Sequence, residues 1–233
     1  MALTFRTATS VGTSVSTYRT VAKPTGTAEG DLLFAQVARN TDTNQPSSVP
    51  EGWALVPGTT YRGNSTLSYY ALYYKVAGAS EPADYTWTWA SGSYRIAIVI
   101  NCCYGDFDPA DIFDNVSDTL YSSNNTTIKA ASFNVTNENS HLLHFPAFYS
   151  SDDKTLSVPT VPDDFTNITS YWSATPDFDI SLNYLRWSGN GETGDIDSTL
   201  SSSVVAKHAF VVALNPAPEI EDFGGLSFGI SFI

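Results

Sequence analysis

Charged side chains are scarce in this 233-residue chain: 15% of its residues are Asp, Glu, Lys or Arg, against about 25% in an average globular protein. Basic residues are scarcer still, 11 against 24 acidic, which leaves a net charge of −13. A surface of that sign repels phosphate backbones and anionic headgroups, so no nucleic-acid or membrane partner is expected. Cysteine occurs twice, at the adjacent positions Cys102 and Cys103. That excludes a disulfide framework and fits a reducing compartment. No apolar run approaches the roughly 18 residues that a membrane-spanning helix needs. The N-terminal MALTFRTATSVGTS has no basic segment followed by an apolar one, so no Sec-type signal is expected. Helical periodicity is also missing from every stretch of about ten residues or more.

What is present is strand chemistry, centred on residues 67–105. Tyr85, Trp87 and Trp89 share one parity and Thr86 and Thr88 the other, as on a pleated strand. From 94 to 104 both parities are apolar, with Ile96, Ile98 and Ile100 on one side and Ala97 and Val99 on the other. Such a strand is covered on both faces. Residues 32–38 repeat that character, and further strands are predicted at 126–135, 140–149, 166–172, 178–187 and 203–214. Residues 105–125 read as acidic and irregular, with Asp108-Pro109 placed to cap one helical turn reaching 113. Prolines at 146, 159, 162 and 176 are expected at edges, bulges or loops. No internal repeat is evident. The pattern predicts an all-β chain: a single antiparallel, jelly-roll-like β-sandwich over residues 1–216, followed by a C-terminal extension, 217–233.

In that extension Leu226, Phe228, Ile230 and Phe232 share one parity and alternate with Ser227, Gly229 and Ser231, beyond Pro216 and Pro218. Two readings stay open. One is a last strand folded onto its own sheet. The other, preferred, is an arm that adds to a neighbour's sheet edge, which makes Phe223, Leu226, Phe228, Ile230 and Phe232 the candidate partner-binding residues.

Motifs for catalysis or metal binding do not assemble. Gly189, Gly191 and Gly194 match a dinucleotide-binding spacing, but the residues that follow are strand-like, so a hairpin turn is expected. His141 and His144 stand three apart on a strand and face opposite ways, which argues against a shared metal. Cys102 and Cys103 also diverge, with at least one expected in the core. Acidic clusters at Asp106, Asp108, Asp111 and Asp114, at Asp152 and Asp153, at Asp163 and Asp164, and at Glu192, Asp195 and Asp197 read as solvated loops, with a calcium site at the first or last the alternative. The aromatic face, with Trp53, Trp172 and Trp187, reads as core before it reads as a sugar platform. No catalytic residue, cofactor or metal is assigned.

Five segments, GDLLFAQVA (30–38), VPEGWALV (49–56), YYKVAGASEPADYTWTW (73–89), YGDFDPADIFD (104–114) and FVVALNP (210–216), resemble a widespread group of β-sandwich proteins of tailed-phage virions. The resemblance spans most of residues 1–216, and its hallmarks, a Pro-x-Gly-Trp turn and a Tyr-Tyr-Lys strand, are structural. It implies a non-enzymatic virion component, assembled in the host cytoplasm, whose partners are other virion subunits: the major capsid protein or tail proteins. A capsid decoration or cement protein on the outer shell is the first expectation, with a homo-oligomer, such as a trimer, as its form. A tail- or fibre-associated receptor- or glycan-binding module is the second. A glycan hydrolase, resting on the abundant carboxylates alone, is the third.

Overall fold

In the computed structural model, residues 2–12, 15–40, 45–59, 62–63, 68–92, 94–121, 125–150, 154–173, 178–204 and 206–218 are described. They form strands and no helix. The first half of the chain supplies β1 (Thr4–Phe5), β2 (Thr9–Gly12), β3 (Tyr18–Ala22), β4 (Leu32–Arg39), β5 (Ala54–Leu55), β6 (Arg62–Gly63), β7 (Tyr69–Val76), β8 (Asp84–Thr88) and β9 (Ile96–Tyr104). The second half supplies β10 (Phe113–Tyr121), β11 (Asn125–Ala130), β12 (Asn134–Val135), β13 (His141–Tyr149), β14 (Thr166–Ser173), β15 (Phe178–Arg186), β16 (Gly191–Glu192), β17 (Ile196–Val204) and β18 (Ala206–Leu214).

Each half builds its own sheet. In the first, β1 and β2 share one edge beside β9, followed by β4 and β7, with β5 and β6 sharing the far edge. In the second the order is β10-β18-β13-β15-β14. The sheets face each other across an apolar interior to which Phe34, Leu72 and Val99 contribute from one side and Phe145, Ile180 and Val212 from the other. The outer face of each sheet is covered in turn by a two-stranded ribbon. β3–β8 lays Val21, Tyr85 and Trp87 over Leu33, Val37 and Ile98. β11–β17 lays Ile128, Ile196 and Leu200 over Leu142, Phe148 and Val211. The two-layer sandwich expected from the sequence is thus the middle of four layers, which is why β4, β9, β13 and β18 are apolar on both parities.

The strand pairing also repeats, although no repeat is evident in the sequence. In each half the first strand pairs with the last, the second with the second-last, and the strands either side of the tip with each other: β2–β9, β3–β8, β4–β7, then β10–β18, β11–β17, β13–β15. Leu32 stands between Val76 and Cys103 as His141 stands between Arg186 and Leu214. The same nesting of strand pairs is therefore present twice. A sheet interior demands an in–out pattern and not particular residues, so the repeat survives in the pairing without being visible as sequence similarity.

Three local expectations are corrected. Residues 113–121 are not irregular but form β10, an edge strand that pairs with β18 along its length. No helical turn precedes it: Asp108 Oδ1 accepts from the Ala110 N–H, at 2.8 Å, and the segment bends instead. Pro146 lies in β13, between β15 and β18, and not at an edge or loop. It keeps its place opposite Ala209 of β18, whereas the β15 ladder steps from His144 to Ala147, so the missing N–H falls in that gap. One glycine is sterically required where the halves join. Gly105 has φ +106°, and a Cβ there would sit 2.5 Å from the Ala2 carbonyl oxygen.

Candidate docking site

β18 ends at Leu214, beside the first residue of β13 and, across it, the last of β15. The β9–β10 connection folds over these strand ends and brings Asp106 down among them. Burial takes its carboxylate out of solvent, and the surrounding groups compensate. Oδ2 lies 3.4 Å from the Arg186 guanidinium and 3.5 Å from His141 Nε2, while Oδ1 accepts from the Ala217 N–H at 3.2 Å. The Tyr184 hydroxyl and His141 Nδ1 are 3.0 Å apart, within hydrogen-bond distance, and the two rings stack. Burial is the largest influence on His141 and holds its pKa below the ordinary value, despite the opposing pull of Asp106. Burial likewise pushes Tyr184 up to about 12.

Asn215 completes the clamp. Its Nδ2 donates to the Asp111 carbonyl and its Oδ1 accepts from Asn137 Nδ2, each at 2.7 Å. Its backbone N–H donates to Ile112 and its carbonyl accepts from Asp108, both at 3.0 Å. Around it opens a groove of about 740 Å³ whose walls include Asp108, Asp111, Glu138, Arg186 and the Pro216–Pro218 turn. Asn215 and Ala217 are therefore held against the body. The arm residues Phe223, Leu226, Phe228, Ile230 and Phe232 lie outside the described residues, as do Asp152 and Asp153.

Elsewhere the candidate residues disperse. Asp114 accepts from the N–H and hydroxyl of Thr136, Asp195 pairs with Lys129, and Glu192 accepts from Ser132. Among the described residues no three His, Cys, Asp or Glu side chains converge as a metal-binding group. His141 and His144 face opposite sides of β13. His144 sits beside Phe165 and receives a hydrogen bond from Asn183 at Nδ1, 3.2 Å long. Cys102 and Cys103 are both buried, one beneath the β3–β8 ribbon and one between the sheets. Desolvation, with help from Asp31, pushes the Cys102 thiol up to about 12, which makes it a poor nucleophile. Gly191 pairs in β16 with β12, and β17, a strand, follows where a dinucleotide fold needs a helix. Trp53, Tyr85, Trp87 and Trp89 are interior, whereas Trp172 on β14 is 41% exposed. Arg186 and Asn215 were not found by sequence reasoning. Their partners lie far off in the chain, and the only local signal was an Asn-Pro step closing a strand.

No protein family matches the chain, and no curated protein or solved structure matches it either.

Proposed function

We propose that this protein is a non-enzymatic structural component of a tailed-phage virion, a capsid decoration or cement protein that binds the outer shell through its C-terminal arm. The observation that carries this reading is the clamp at the arm's root. Asn215 and Ala217 are held by Asp106, Asp108, Asp111, Ile112 and Asn137, so whatever follows is presented at a fixed position on the body. A pre-positioned root reduces the ordering entropy of docking an extended segment onto a sheet edge. The acid-rich surface suits an outward location and not one against packaged DNA. A body that buries both of its thiols also suits a particle that must last outside a reducing cell.

Removing residues 219–233 is expected to abolish binding to particles assembled without the protein, while the melting temperature of the body stays unchanged. Co-sedimentation with purified heads and, separately, purified tails reads this out. Undiminished binding by the truncated protein to both refutes the arm reading, and immunogold labelling of intact particles locates the protein independently.

A second reading, a tail-associated glycan- or receptor-binding module, is favoured by the exposed ring of Trp172. Under it, Trp172→Ala lowers retention on immobilised host glycans at least about tenfold, with stability changed by less than about 1 kcal/mol. Equal retention by the variant and the parent protein disposes of that reading.

A further inference from the structure

The two halves of the chain put a strand at the same outermost position of the nest and treat it in opposite ways. In the first half that position is broken into β5 and β6, of two residues each, with Pro57 and Gly58 between them. In the second half it is β14, eight residues long, TNITSYWS, without a charged residue or a proline. Natural sheet edges are ordinarily kept short, charged, bulged or covered, because an open row of N–H and C=O groups recruits other strands. β14 carries only a register shift between Asn167 and Thr169. Its inner edge pairs with β15 along the whole strand, and no backbone hydrogen bond reaches its outer edge from any described segment. The sheet's other edge is covered: Asn115 and Ser117 of β10 donate to the Asn134 and Ala131 carbonyls, and Asp114 accepts from Thr136. Ile168 and Tyr171 meanwhile anchor β14 on the interior.

We propose that the outer edge of β14 is a strand-pairing site and that its occupant is residues 223–233 of a second copy of this chain. That segment, FGGLSFGISFI, contains no charged residue and alternates large apolar side chains with Ser and Gly. It suits an uncharged edge on which backbone hydrogen bonds supply the affinity and one row of side chains packs. The chain's own arm is the poorer occupant. It starts beside Arg186, at the end of the sheet where Thr166 of β14 pairs with Tyr184. To reach its own edge it must pass the ends of β13, β15 and β14, four strand spacings or about 19 Å from β18, and then run parallel to β14. An arm from a second copy pairs antiparallel, the more stable arrangement. The inference shares with the proposed function only the treatment of the tail as an arm and requires no particle.

Sedimentation equilibrium on the full chain, on a 219–233 truncation and on a Ser170→Lys/Trp172→Lys variant tests it, with thermal melts alongside. The full chain is expected to self-associate, and each variant to raise the dissociation constant at least about tenfold. Association should tighten with added salt, because two acidic bodies repel and neither pairing segment is charged. A monomeric full chain overturns the inference. So does a truncation that still associates, which means β14 pairs with β14, or a lysine variant that still associates, which means the arm seats elsewhere. Should the lysines unfold the body, a synthetic 219–233 peptide added to the truncated protein decides: slowed amide exchange at Ser170 and Trp172 supports the site, and slowing confined to other strands refutes it. A full chain that stays monomeric yet loses its particles on truncation sinks this inference and leaves the decoration reading standing.

Discussion

Replacing Trp87 with alanine is expected to lower the unfolding free energy by about 3–5 kcal/mol, the range for emptying a large aromatic site in a packed core. Trp87 is fully buried, with ring centroids 5.4 Å from Trp53 and 6.2 Å from Tyr73. The ribbon that carries it has two strands and is held to the sheet largely through Val21, Tyr85 and Trp87, so the cavity cannot close without moving the ribbon. For a chain of this size that loss shifts the melting temperature by about 6–20 °C. Denaturant unfolding of the variant measures it directly. A second substitution separates volume from polarity. The Trp87 indole N–H is buried and has no hydrogen-bond partner among the described residues. Trp87→Phe removes that N–H along with part of the ring, so its loss should be well under half that of the alanine variant. A Trp87→Ala protein that unfolds at the parent's midpoint shows the ring to be dispensable to the ribbon and contradicts this account of the core.

The second large effect is acid sensitivity centred on His144. Burial alone drives its pKa down to about 3, far below the usual 6.5. The unfolded chain therefore takes up a proton near pH 6.5 that the native protein refuses until about pH 3. The stability from the neutral ring is complete above pH 6.5 and is lost progressively as the pH falls toward 3. Between pH 7 and pH 5 the loss is about 2 kcal/mol from this ring. His141, also lowered by burial, acts in the same direction. Asp31 and Glu81 respond at lower pH. Burial raises both, but bonds from Arg6 and the Ala28 N–H to Asp31, and from the Gly78 N–H, Lys75 and Tyr85 to Glu81, outweigh it and hold them below the normal range. Their contribution is complete above the unfolded carboxyl pKa and is lost as the pH falls through the lower folded one. Urea midpoints for the parent and for His144→Gln at pH 7 and pH 5 isolate the histidine: the parent should lose about 2 kcal/mol more than the variant across that interval. Equal losses would mean that His144 is reachable by protons in the folded state.

Both effects trace to residues whose burial was only partly readable beforehand. Placing Trp87 in the core required no more than a period of two and a threonine-rich opposite face. The depth of His144 was not readable, because a histidine on an apolar strand looks alike whether a ribbon covers it or water does. The candidate site shows the same division. The Pro-punctuated segment marked where the last strand ends, whereas the clamp there gathers Asp106, Asn137, Arg186 and Asn215 from four separate parts of the chain.

The sequence by itself determined that this chain is all-β, that the strands at 32–38 and 94–104 are buried on both faces, that the aromatic row and at least one of the adjacent thiols lie inside, and that the surface is acidic. Those properties follow from side-chain periodicity and composition, which are local. Only the tertiary structure decided that the nest occurs twice, that two ribbons make four layers, that Pro146 sits in a central strand, and that β14 has an open outer edge. Those depend on which distant strands share a face, and burying two apolar faces together sets the partners through shape and register, which short-range pattern does not encode.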